Sequence, residues 1–254
     1  MLKKRLIPIM LFRNDRLVKS IRFEEFRNVG NPIQMARVYN SRGVDELVFL
    51  DINASREKRG PLVEFIKDIL EECFMPLTVG GGIKKLDEIN GLLKIGADKI
   101  SINTAAVENS SFIREAARKF GSSNIVVSID AKRKPDGNYE IFTHGGHNAT
   151  GLDAADFAKR VEGLGAGEVL LNSIDKDGMM TGYDIDLMHN ISKEISIPVI
   201  GCGGAGKPQD FVDCLINGGT SAVAAASIFH FTEYTPDMIK RHMKECGLDV
   251  RINY

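Results

Sequence analysis

Short apolar runs alternate along this chain with segments in which apolar residues recur at helical spacing. Several runs are apolar almost throughout and end in a carboxylate, among them LVFLD, IVVSID and VLLNSID. Such runs are typical of parallel strands that are buried on both faces, and the helical segments between them indicate βαβ units. Eight runs of this kind predict an α/β fold, a (βα)8 TIM barrel.

The predicted elements follow one another without a linker. The first strand is predicted at residues 5–11, and a long polar connection at 12–31 leads to a helix that ends at residue 42. A Pro-Asp-Gly turn after residue 130 predicts a β-hairpin over one end of the barrel. The other strands and helices outside the glycine-rich segments are predicted at 46–51, 61–72, 111–120, 124–130, 153–164, 168–172, 185–194 and 236–246.

Two glycine-rich segments, residues 76–107 and 198–229, share one design. Each reads as strand, glycine turn, helix, strand and a second turn of small residues, and the two align without a gap. Gly82 then corresponds to Gly204, and Asn103 and Thr104 correspond to Ala225 and Ala226. A repeat of about half the chain predicts a barrel built from two similar halves.

Both glycine turns follow the carboxyl ends of predicted strands, the edge at which barrels of this kind bind ligands. Paired glycines let backbone N–H groups approach a phosphate closely. The matched turns therefore predict two anion sites on opposite sides of the barrel, suited to a ligand with a phosphate at each end. The alternative is that the glycines only make tight strand-to-helix turns.

Composition agrees with one enzyme-sized domain that covers residues 1–254. Apolar residues make up 43% and charged residues 26%, which is enough for a sizeable core. The net charge of −1 argues against a nucleic-acid surface. We find no apolar segment long enough for a signal peptide or a membrane span, so the sequence predicts a cytoplasmic protein without a membrane partner.

The cysteines and histidines do not indicate a metal or a cofactor. Cys73, Cys202, Cys214 and Cys246 are widely spaced and are predicted to be reduced thiols. His144 and His147 have the spacing of a possible metal pair, but no third ligand lies near them in the sequence. We therefore expect neither a metal site nor a cofactor.

Acidic residues stand at the ends of three predicted strands. These are Asp51, Asp130 and Asp175, with Asp177 two residues beyond the last. Partial burial can raise the pKa of such a carboxyl group towards neutrality and make it a general acid or base. The alternative is a capping role in neighbouring loops. Asp130 is the strongest catalytic candidate because it follows an apolar run and precedes a flexible hairpin.

Motifs along nearly the whole chain resemble the cyclase subunit of imidazole glycerol phosphate synthase. The resemblance implies a (βα)8 barrel and a substrate with two phosphates. One phosphate would bind beside Gly82, Asn103 and Thr104, and the substrate set would include Lys19 and Asp51. The second phosphate site implied is Asp177, Gly178, Gly204, Ala226 and Ser227. The motifs are DELVFLDI, VGGGI, GADKISINTAAV, SIDAKR, GAGEVLLNSIDKDG, GYD, GGAGK and AASIFHF.

Four charged residues open apolar strands, namely Arg5, Glu46, Lys99 and Glu168. Taken singly, each would be interpreted as a solvated charge at a strand start. Charges at the floor of a barrel are costly unless they are paired, so two cations and two anions could form a neutral ring. The resemblance implies that this ring is a gate for ammonia. It also implies that this chain forms a heterodimer with a glutaminase subunit and that Asp98 helps to bind that subunit.

The chain departs from the family at the end of its first strand. The family has a catalytic aspartate there, and this sequence has Leu11, which lies opposite Asp130 in the half-barrel repeat. Leucine cannot transfer a proton, and the loss of one acid–base group typically costs a factor of about 10² to 10⁴ in rate. Ser20 also replaces a family glycine. Whether the chain is a working cyclase is therefore uncertain from the sequence.

The leading hypothesis from the sequence is an altered function. The pattern resembles cyclase-like paralogues of bacterial surface-polysaccharide pathways, in which ammonia passes through the barrel to an N-acetyl sugar amidotransferase that converts an acetamido group to an acetamidino group. One alternative is imidazole glycerol phosphate synthesis in histidine biosynthesis, with Asp130 assisted by Asp51 or Asp177. The other is a non-catalytic scaffold that activates the glutaminase.

Overall fold

Eight parallel strands form a closed barrel in the computed structural model, which describes residues 3–252. In chain order the strands are β1 (Arg5–Arg13), β2 (Arg16–Ile21), β3 (Glu24–Gly30), β4 (Leu47–Asp51), β5 (Leu77–Gly80), β6 (Lys99–Ile102), β7 (Ile125–Arg133), β8 (Tyr139–Thr143), β9 (Asn148–Asp153), β10 (Glu168–Ser173), β11 (Val199–Cys202) and β12 (Ala222–Ala225). The helices are α1 (Pro32–Ser41), α2 (Val63–Leu70), α3 (Leu86–Lys94), α4 (Thr104–Glu108), α5 (Ser111–Phe120), α6 (Ala154–Gly163), α7 (Ile185–Ser192), α8 (Pro208–Ile216), α9 (Ile228–Phe231) and α10 (Pro236–Glu245).

The barrel strands are β1, β4, β5, β6, β7, β10, β11 and β12, in that order around the circle. Each pairs in parallel with its neighbours, and the pairing of β12 with β1 closes the circle. Helices lie between successive barrel strands along the chain. The prediction of a (βα)8 barrel is confirmed.

Alternate residues of the barrel strands point into and out of the barrel. On β1, Ile7 and Ile9 pack in the interior cluster, whereas Leu6 and Met10 pack in the larger cluster that includes the helices. All four are 3% exposed or less. Burial of an aliphatic side chain of this size contributes about 1.5–3 kcal/mol, so both faces of the strand hold the barrel together.

The prediction that residues 12–31 form a polar connection without strands is wrong. This segment contains the end of β1 and the antiparallel strands β2 and β3, which form a hairpin over the barrel. Asn14 and Asp15 form the first turn, and Arg22 and Phe23 form the second, each with positive φ angles. Asn14 and Asp15 are residues that such turns favour, so they were the available sequence signal for the first turn. Arg22 and Phe23 are unusual at positive φ angles, and β3 is largely exposed, so no comparable signal marked the second turn and its strand.

A second hairpin follows β7, where the Pro-Asp-Gly turn predicted one. β7 pairs with β8 in antiparallel fashion, and β8 pairs with β9. Both hairpins extend beyond the carboxyl ends of the barrel strands, so they surround the same opening. We call this opening the mouth of the barrel.

The two halves of the barrel share a detailed local geometry. Glu88 in α3 accepts hydrogen bonds from the N–H groups of Lys84 and Lys85, at 2.8 and 2.9 Å. Asp210 in α8 accepts the corresponding bonds from Gly206 and Lys207, at 2.8 and 3.0 Å. Each acid satisfies backbone donors at the beginning of its helix, as an N-terminal cap does. The agreement supports the half-barrel repeat.

These two caps give a stability prediction. Glu88→Ala and Asp210→Ala should each lower the free energy of unfolding by about 1 kcal/mol, because each leaves two backbone N–H groups without an acceptor. Asp210 is only 6% exposed, so its removal should cost the more. Urea unfolding measures both. Glu115→Ala, an exposed position on α5, serves as the control and should change stability by less than about 0.5 kcal/mol.

Candidate active site

A cavity that is open to solvent occupies the mouth of the barrel. It brings together nearly all the residues that the sequence predicted at this end, although they come from every part of the chain. Its walls include Leu11, Asp51, Gly82, Asn103, Thr104, Asp130, Asp177, Gly178, Gly204, Ala226 and Ser227. Such a concave site with a few polar groups is the usual form of a ligand pocket.

Two of the residues predicted at this end, Lys19 and Asp175, do not line the cavity. Oδ2 of Asp175 accepts a hydrogen bond of 2.8 Å from the N–H of Arg133 in the second hairpin. The side chain of Lys19 is 3% exposed, and its Nζ donates a hydrogen bond to the backbone oxygen of Ile9 at 3.0 Å. Burial lowers the pKa of Lys19 to about 8, although the charge of Asp177 opposes the shift. The amine therefore changes its protonation state close to physiological pH.

Asp130 ends the inward-facing part of β7 and lines the cavity. Its Oδ2 accepts a hydrogen bond of 3.3 Å from Nδ2 of Asn103. Burial raises the pKa of Asp130 to about 7, and the nearby charge of Asp177 acts in the same direction. A carboxyl group of this kind can both take up and release a proton near neutral pH.

Leu11 lies on the opposite side of the cavity from Asp130. Its strand, β1, is four positions from β7 in the order of the eight barrel strands. Leu11 packs beside the interior residues Ile9 and Leu50. The cavity therefore has an acidic wall at β7 and an apolar wall at β1, where the resemblance implied a second acid.

Asp51 is engaged by an arginine. Arg59 places Nη1 on Oδ2 of Asp51 and Nη2 3.0 Å from Oδ1, and the N–H of Asn53 donates to Oδ1 at 3.2 Å. The hydrogen bond that Arg59 donates to Asp51 raises the pKa of the Arg59 guanidinium despite the opposing effect of burial. The two guanidinium bonds occupy both carboxylate oxygens of Asp51 and fix its orientation. Sequence reasoning missed Arg59, and its position in a charged loop close behind the strand was the available signal.

Asp177 is held by the first hairpin. The hydroxyl of Ser20 donates to its Oδ2 at 2.9 Å, and the N–H of Arg22 donates to its backbone oxygen at 2.9 Å. Burial raises the pKa of Asp177, and the contacts with Ser20 and Lys19 oppose that shift. Ser20, at a position where the resemblance implies glycine, therefore connects the hairpin to the β10 side of the mouth.

The glycines of the predicted anion sites lie against neighbouring backbone. A Cβ atom on Gly82 would lie 2.3 Å from the carbonyl oxygen of Arg59, and one on Gly204 would lie 2.2 Å from that of Gly182. One on Gly178 would lie 2.0 Å from that of Ser20. Loop packing alone requires glycine at these positions, which agrees with the alternative interpretation of the turns. Phosphate binding therefore stays a prediction.

Asn103 and Thr104 are fixed by hydrogen bonds where β6 meets α4. Nδ2 of Asn103 donates to the backbone oxygen of Ser128 at 3.0 Å. The hydroxyl of Thr104 donates to Oδ1 of Asn103 at 3.3 Å and accepts from the N–H of His144 at 3.1 Å. These contacts tie the first predicted anion site to β7 and to the second hairpin.

Two phenylalanines from the first hairpin reach the cavity, and sequence reasoning missed both. Phe23 packs so closely on Gly146 of the second hairpin that a Cβ there would lie 2.5 Å from its ring. The guanidinium group of Arg13 stacks on Phe26, 4.1 Å from the ring centre. The two aromatic residues in a charged stretch were the signal that this segment folds back over the mouth.

The four charged residues at the strand starts form a closed ring at the opposite end of the barrel. Arg5 Nη1 lies 2.7 Å from Glu46 and 3.1 Å from Glu168. Lys99 Nζ lies 3.0 Å from Glu46 and 2.9 Å from Glu168. Each cation contacts both anions, and the two positive charges balance the two negative charges. We call this group the floor ring.

The floor ring is mostly withdrawn from water. Its side chains are 11–22% exposed, and the interior apolar cluster lies above them. Burial opposes the charge on Arg5, but Glu46 and Glu168 outweigh it and raise the pKa of Arg5. Asp98 lies beside Lys99 in sequence and is exposed, and its Oδ2 accepts a hydrogen bond of 2.8 Å from the N–H of Leu77. The structure therefore gives Asp98 a partner within its own chain.

Among residues 3–252, no group of three or more histidine, cysteine or acidic side chains is placed to hold a metal ion. The cysteines are free, with Cys202 buried in the cavity wall. Burial raises the pKa of the Cys202 thiol, which makes it an unreactive group. In the same part of the chain we find no helix with the length and apolar character needed to cross a membrane.

Comparison of the sequence with known proteins assigns the chain to a family. Residues 5–235 match the family model described as "Histidine biosynthesis protein". The chain belongs to that family. A relative from Alkaliphilus metalliredigens strain QYMF, named imidazole glycerol phosphate synthase subunit HisF, is 47% identical over 251 residues. The match covers 99% of this chain and 100% of the relative.

Membership of the histidine biosynthesis family changes the order of the functional hypotheses. The expected resemblance to the cyclase subunit is confirmed at the level of a HisF-like barrel. The comparisons give no support to the polysaccharide-associated paralogue that led the sequence-based hypotheses. The relative's name agrees better with the alternative, imidazole glycerol phosphate synthesis.

Asp130 gives a prediction for the pH dependence of stability. Its pKa is raised in the folded protein, so the folded state binds the proton more tightly than the unfolded chain does. The stability that this provides is present below the unfolded pKa, near 4, and is lost as the pH rises through about 7. Asp130→Asn removes the effect and should therefore raise the melting temperature more at pH 8 than at pH 4.

Thermal unfolding at the two pH values measures this difference directly. Asp87→Asn, an exposed acid on α3, is the matched control and should show no such pH-dependent gain. An equal change for Asp130→Asn at both pH values would show that Asp130 ionises normally in the folded protein.

The floor ring gives a second prediction. Lys99→Met leaves Glu46 and Glu168 with Arg5 alone, and should lower the free energy of unfolding by about 1–3 kcal/mol because the pairs are only partly buried. Adding Glu168→Gln restores neutrality, so the double variant should be more stable than the sum of the single changes predicts. Additive effects in urea unfolding would contradict electrostatic coupling within the ring.

Proposed function

We propose that this chain is the barrel subunit of an imidazole glycerol phosphate synthase. In this proposal a ligand with two phosphates binds in the mouth cavity, and ammonia from a glutaminase partner enters through the floor ring. Two observations together support the proposal. A relative of that name matches this chain over its full length, and one cavity is lined by the residues that the resemblance implies for substrate binding and catalysis.

The cavity suits a ligand that is charged at both ends. The turn at Gly82 and Thr104 belongs to the β5 and β6 side, and the turn at Gly204 and Ser227 belongs to the β11 and β12 side. These pairs of strands lie across the barrel from each other. Backbone N–H groups at the two turns would hold the phosphates, and the reacting part of the ligand would lie between Leu11 and Asp130.

Asp130 is the residue we assign to proton transfer. Of the cavity-lining acids in residues 3–252, it is the one that neither an arginine nor a hydroxyl group engages. Its pKa of about 7 lets it act as a base towards the attacking amine and then as an acid. Asn103 donates to its carboxylate and would keep it oriented.

The barrel interior supports passage of ammonia rather than ammonium. Above the floor ring the inward side chains include the apolar residues Ile7, Val48 and Leu170, and the hydroxyl groups of Ser101 and Ser128 lie higher on the cavity wall. A charged ammonium ion would exchange its full hydration shell for few polar partners there, whereas neutral ammonia would lose much less. The glutaminase partner would deliver ammonia below the ring, on the face that includes Asp98.

A second candidate function is favoured by Leu11. An apolar side chain where a second acid would act suggests a barrel that passes ammonia onward, to an acceptor such as an N-acetyl sugar amidotransferase. In that case the mouth cavity would bind a phosphorylated ligand without closing an imidazole ring. The floor ring would have the same role in both functions.

Single-turnover conversion of the bis-phosphate substrate of imidazole glycerol phosphate synthase, with excess ammonium salt, separates the two. Free ammonia bypasses the partner, so the assay isolates the chemistry in the cavity. The cyclase proposal predicts measurable conversion by the natural protein that Asp130→Asn lowers by a factor of about 10² to 10⁴. Leu11→Asp should raise the rate because it supplies the second acid.

Leu11→Asn is the matched control, since it has nearly the size and polarity of aspartate without its proton chemistry. No conversion by the natural protein, with conversion by Leu11→Asp but not by Leu11→Asn, would contradict the cyclase proposal and favour onward transfer of ammonia. No conversion by any variant would exclude this substrate.

A further inference from the structure

A buried ion pair lies behind the floor ring. Lys240 of α10 is 2% exposed, and its Nζ lies 2.7 Å from Oδ1 of Asp45 and donates to the backbone oxygen of Gly43 at 3.1 Å. The Asp45 side chain is 9% exposed. Lysine is rarely buried to this extent, because its amine must exchange water for protein partners. The pair connects α10 to the segment that precedes β4.

The same carboxylate connects two strands of the floor ring. Oδ2 of Asp45 accepts a hydrogen bond of 2.8 Å from the N–H of Leu6. Leu6 directly follows Arg5, and Asp45 directly precedes Glu46. One carboxylate therefore holds together the starts of β1 and β4, whose ring residues Arg5 and Glu46 are themselves paired at 2.7 Å.

A similar arrangement at the other cation of the ring shows what is special about this one. Asp98 directly precedes Lys99 and accepts a hydrogen bond of 2.8 Å from the N–H of Leu77. Asp98 is exposed, and no ion pair of it with a lysine or arginine occurs among residues 3–252. The ring is thus supported by a buried cation on the Arg5 and Glu46 side and by an exposed acid on the Lys99 side.

The pair is also a costly means of joining a helix to a barrel. The attraction between two buried charges offsets their loss of hydration only when the geometry of the pair is good. Apolar side chains of similar volume often stabilise a fold equally well. What the pair does provide is a fixed position for the Asp45 carboxylate, because a hydrogen-bonded ion pair has a preferred length and direction. Asp45 in turn fixes the backbone on both sides of the Arg5 to Glu46 contact.

We propose that Lys240 and Asp45 are positioning residues that hold Arg5 and Glu46 in the closed floor ring. Loss of the Lys240 amine releases the Asp45 side chain, and the starts of β1 and β4 then move independently. The Arg5 to Glu46 contact loosens while the barrel remains folded. The link from ring geometry to ammonia delivery rests on the function proposed above, whereas the positioning itself does not.

Nuclear magnetic resonance of the full chain with Lys240→Met tests the positioning. Methionine keeps most of the buried volume and removes the charge. Hydrogen exchange of the Leu6 amide should accelerate at least about threefold relative to the natural protein, since its acceptor is no longer held in place. The guanidinium signals of Arg5 should show faster exchange with water, because its contact with Glu46 is less persistent.

Ile239→Val, on the same helix, is the matched control. Ile239 is fully buried, so its truncation loosens α10 without touching Asp45. It should lower stability while leaving the signals of Leu6 and Arg5 unchanged. If Lys240→Met changes those signals no more than Ile239→Val does, the pair only stabilises the fold and the proposal is overturned.

Asp45→Asn provides a second variant should Lys240→Met not fold. It keeps an acceptor for Leu6 but loses the ion pair, and it should release Arg5 in the same way. Unchanged Arg5 signals in a folded Asp45→Asn variant would also overturn the proposal. These signals require no partner and no turnover, so a failure of the proposed enzymatic function would leave this test unaffected.

Discussion

The parallel direction of the eight barrel strands is the constraint on which the other features depend. Because every strand runs the same way, their first residues meet at one end of the barrel and their last residues meet at the other. Charges at strand starts, such as Arg5 and Glu46, are thereby forced into contact and must neutralise one another. Polar residues at strand ends, such as Asp130, are brought around one cavity.

Much of this arrangement could be predicted from the sequence, because buried parallel strands are continuously apolar and the helices between them show helical spacing. Residues at the two ends of each strand could therefore be assigned to the floor or to the mouth. Contacts between loops leave no such signal. The hairpin of β2 and β3, the engagement of Asp51 by Arg59 and the burial of Lys19 depend on how separate loops pack over the mouth.

Three local features set Asp130 apart from the rest of the mouth. Leu11 supplies an apolar wall where the resemblance implies an aspartate, Arg59 donates to Asp51, and Ser20 donates to Asp177. Asp130 remains, with a pKa close to neutrality. The sequence identified Leu11 and Ser20 as departures from the family, but their combined effect required the contacts. The chemistry of the cavity therefore depends on whether one well-placed acid suffices between the two predicted anion sites.

A crystal structure with the bis-phosphate substrate of imidazole glycerol phosphate synthase bound tests the account most directly. We expect one phosphate at Gly82 and Thr104, the other at Gly204 and Ser227, and the reacting atoms within hydrogen-bond reach of Asp130. A ligand held at only one of the two turns, or bound with its reacting part away from Asp130, would contradict the account of the mouth as a bis-phosphate reaction site.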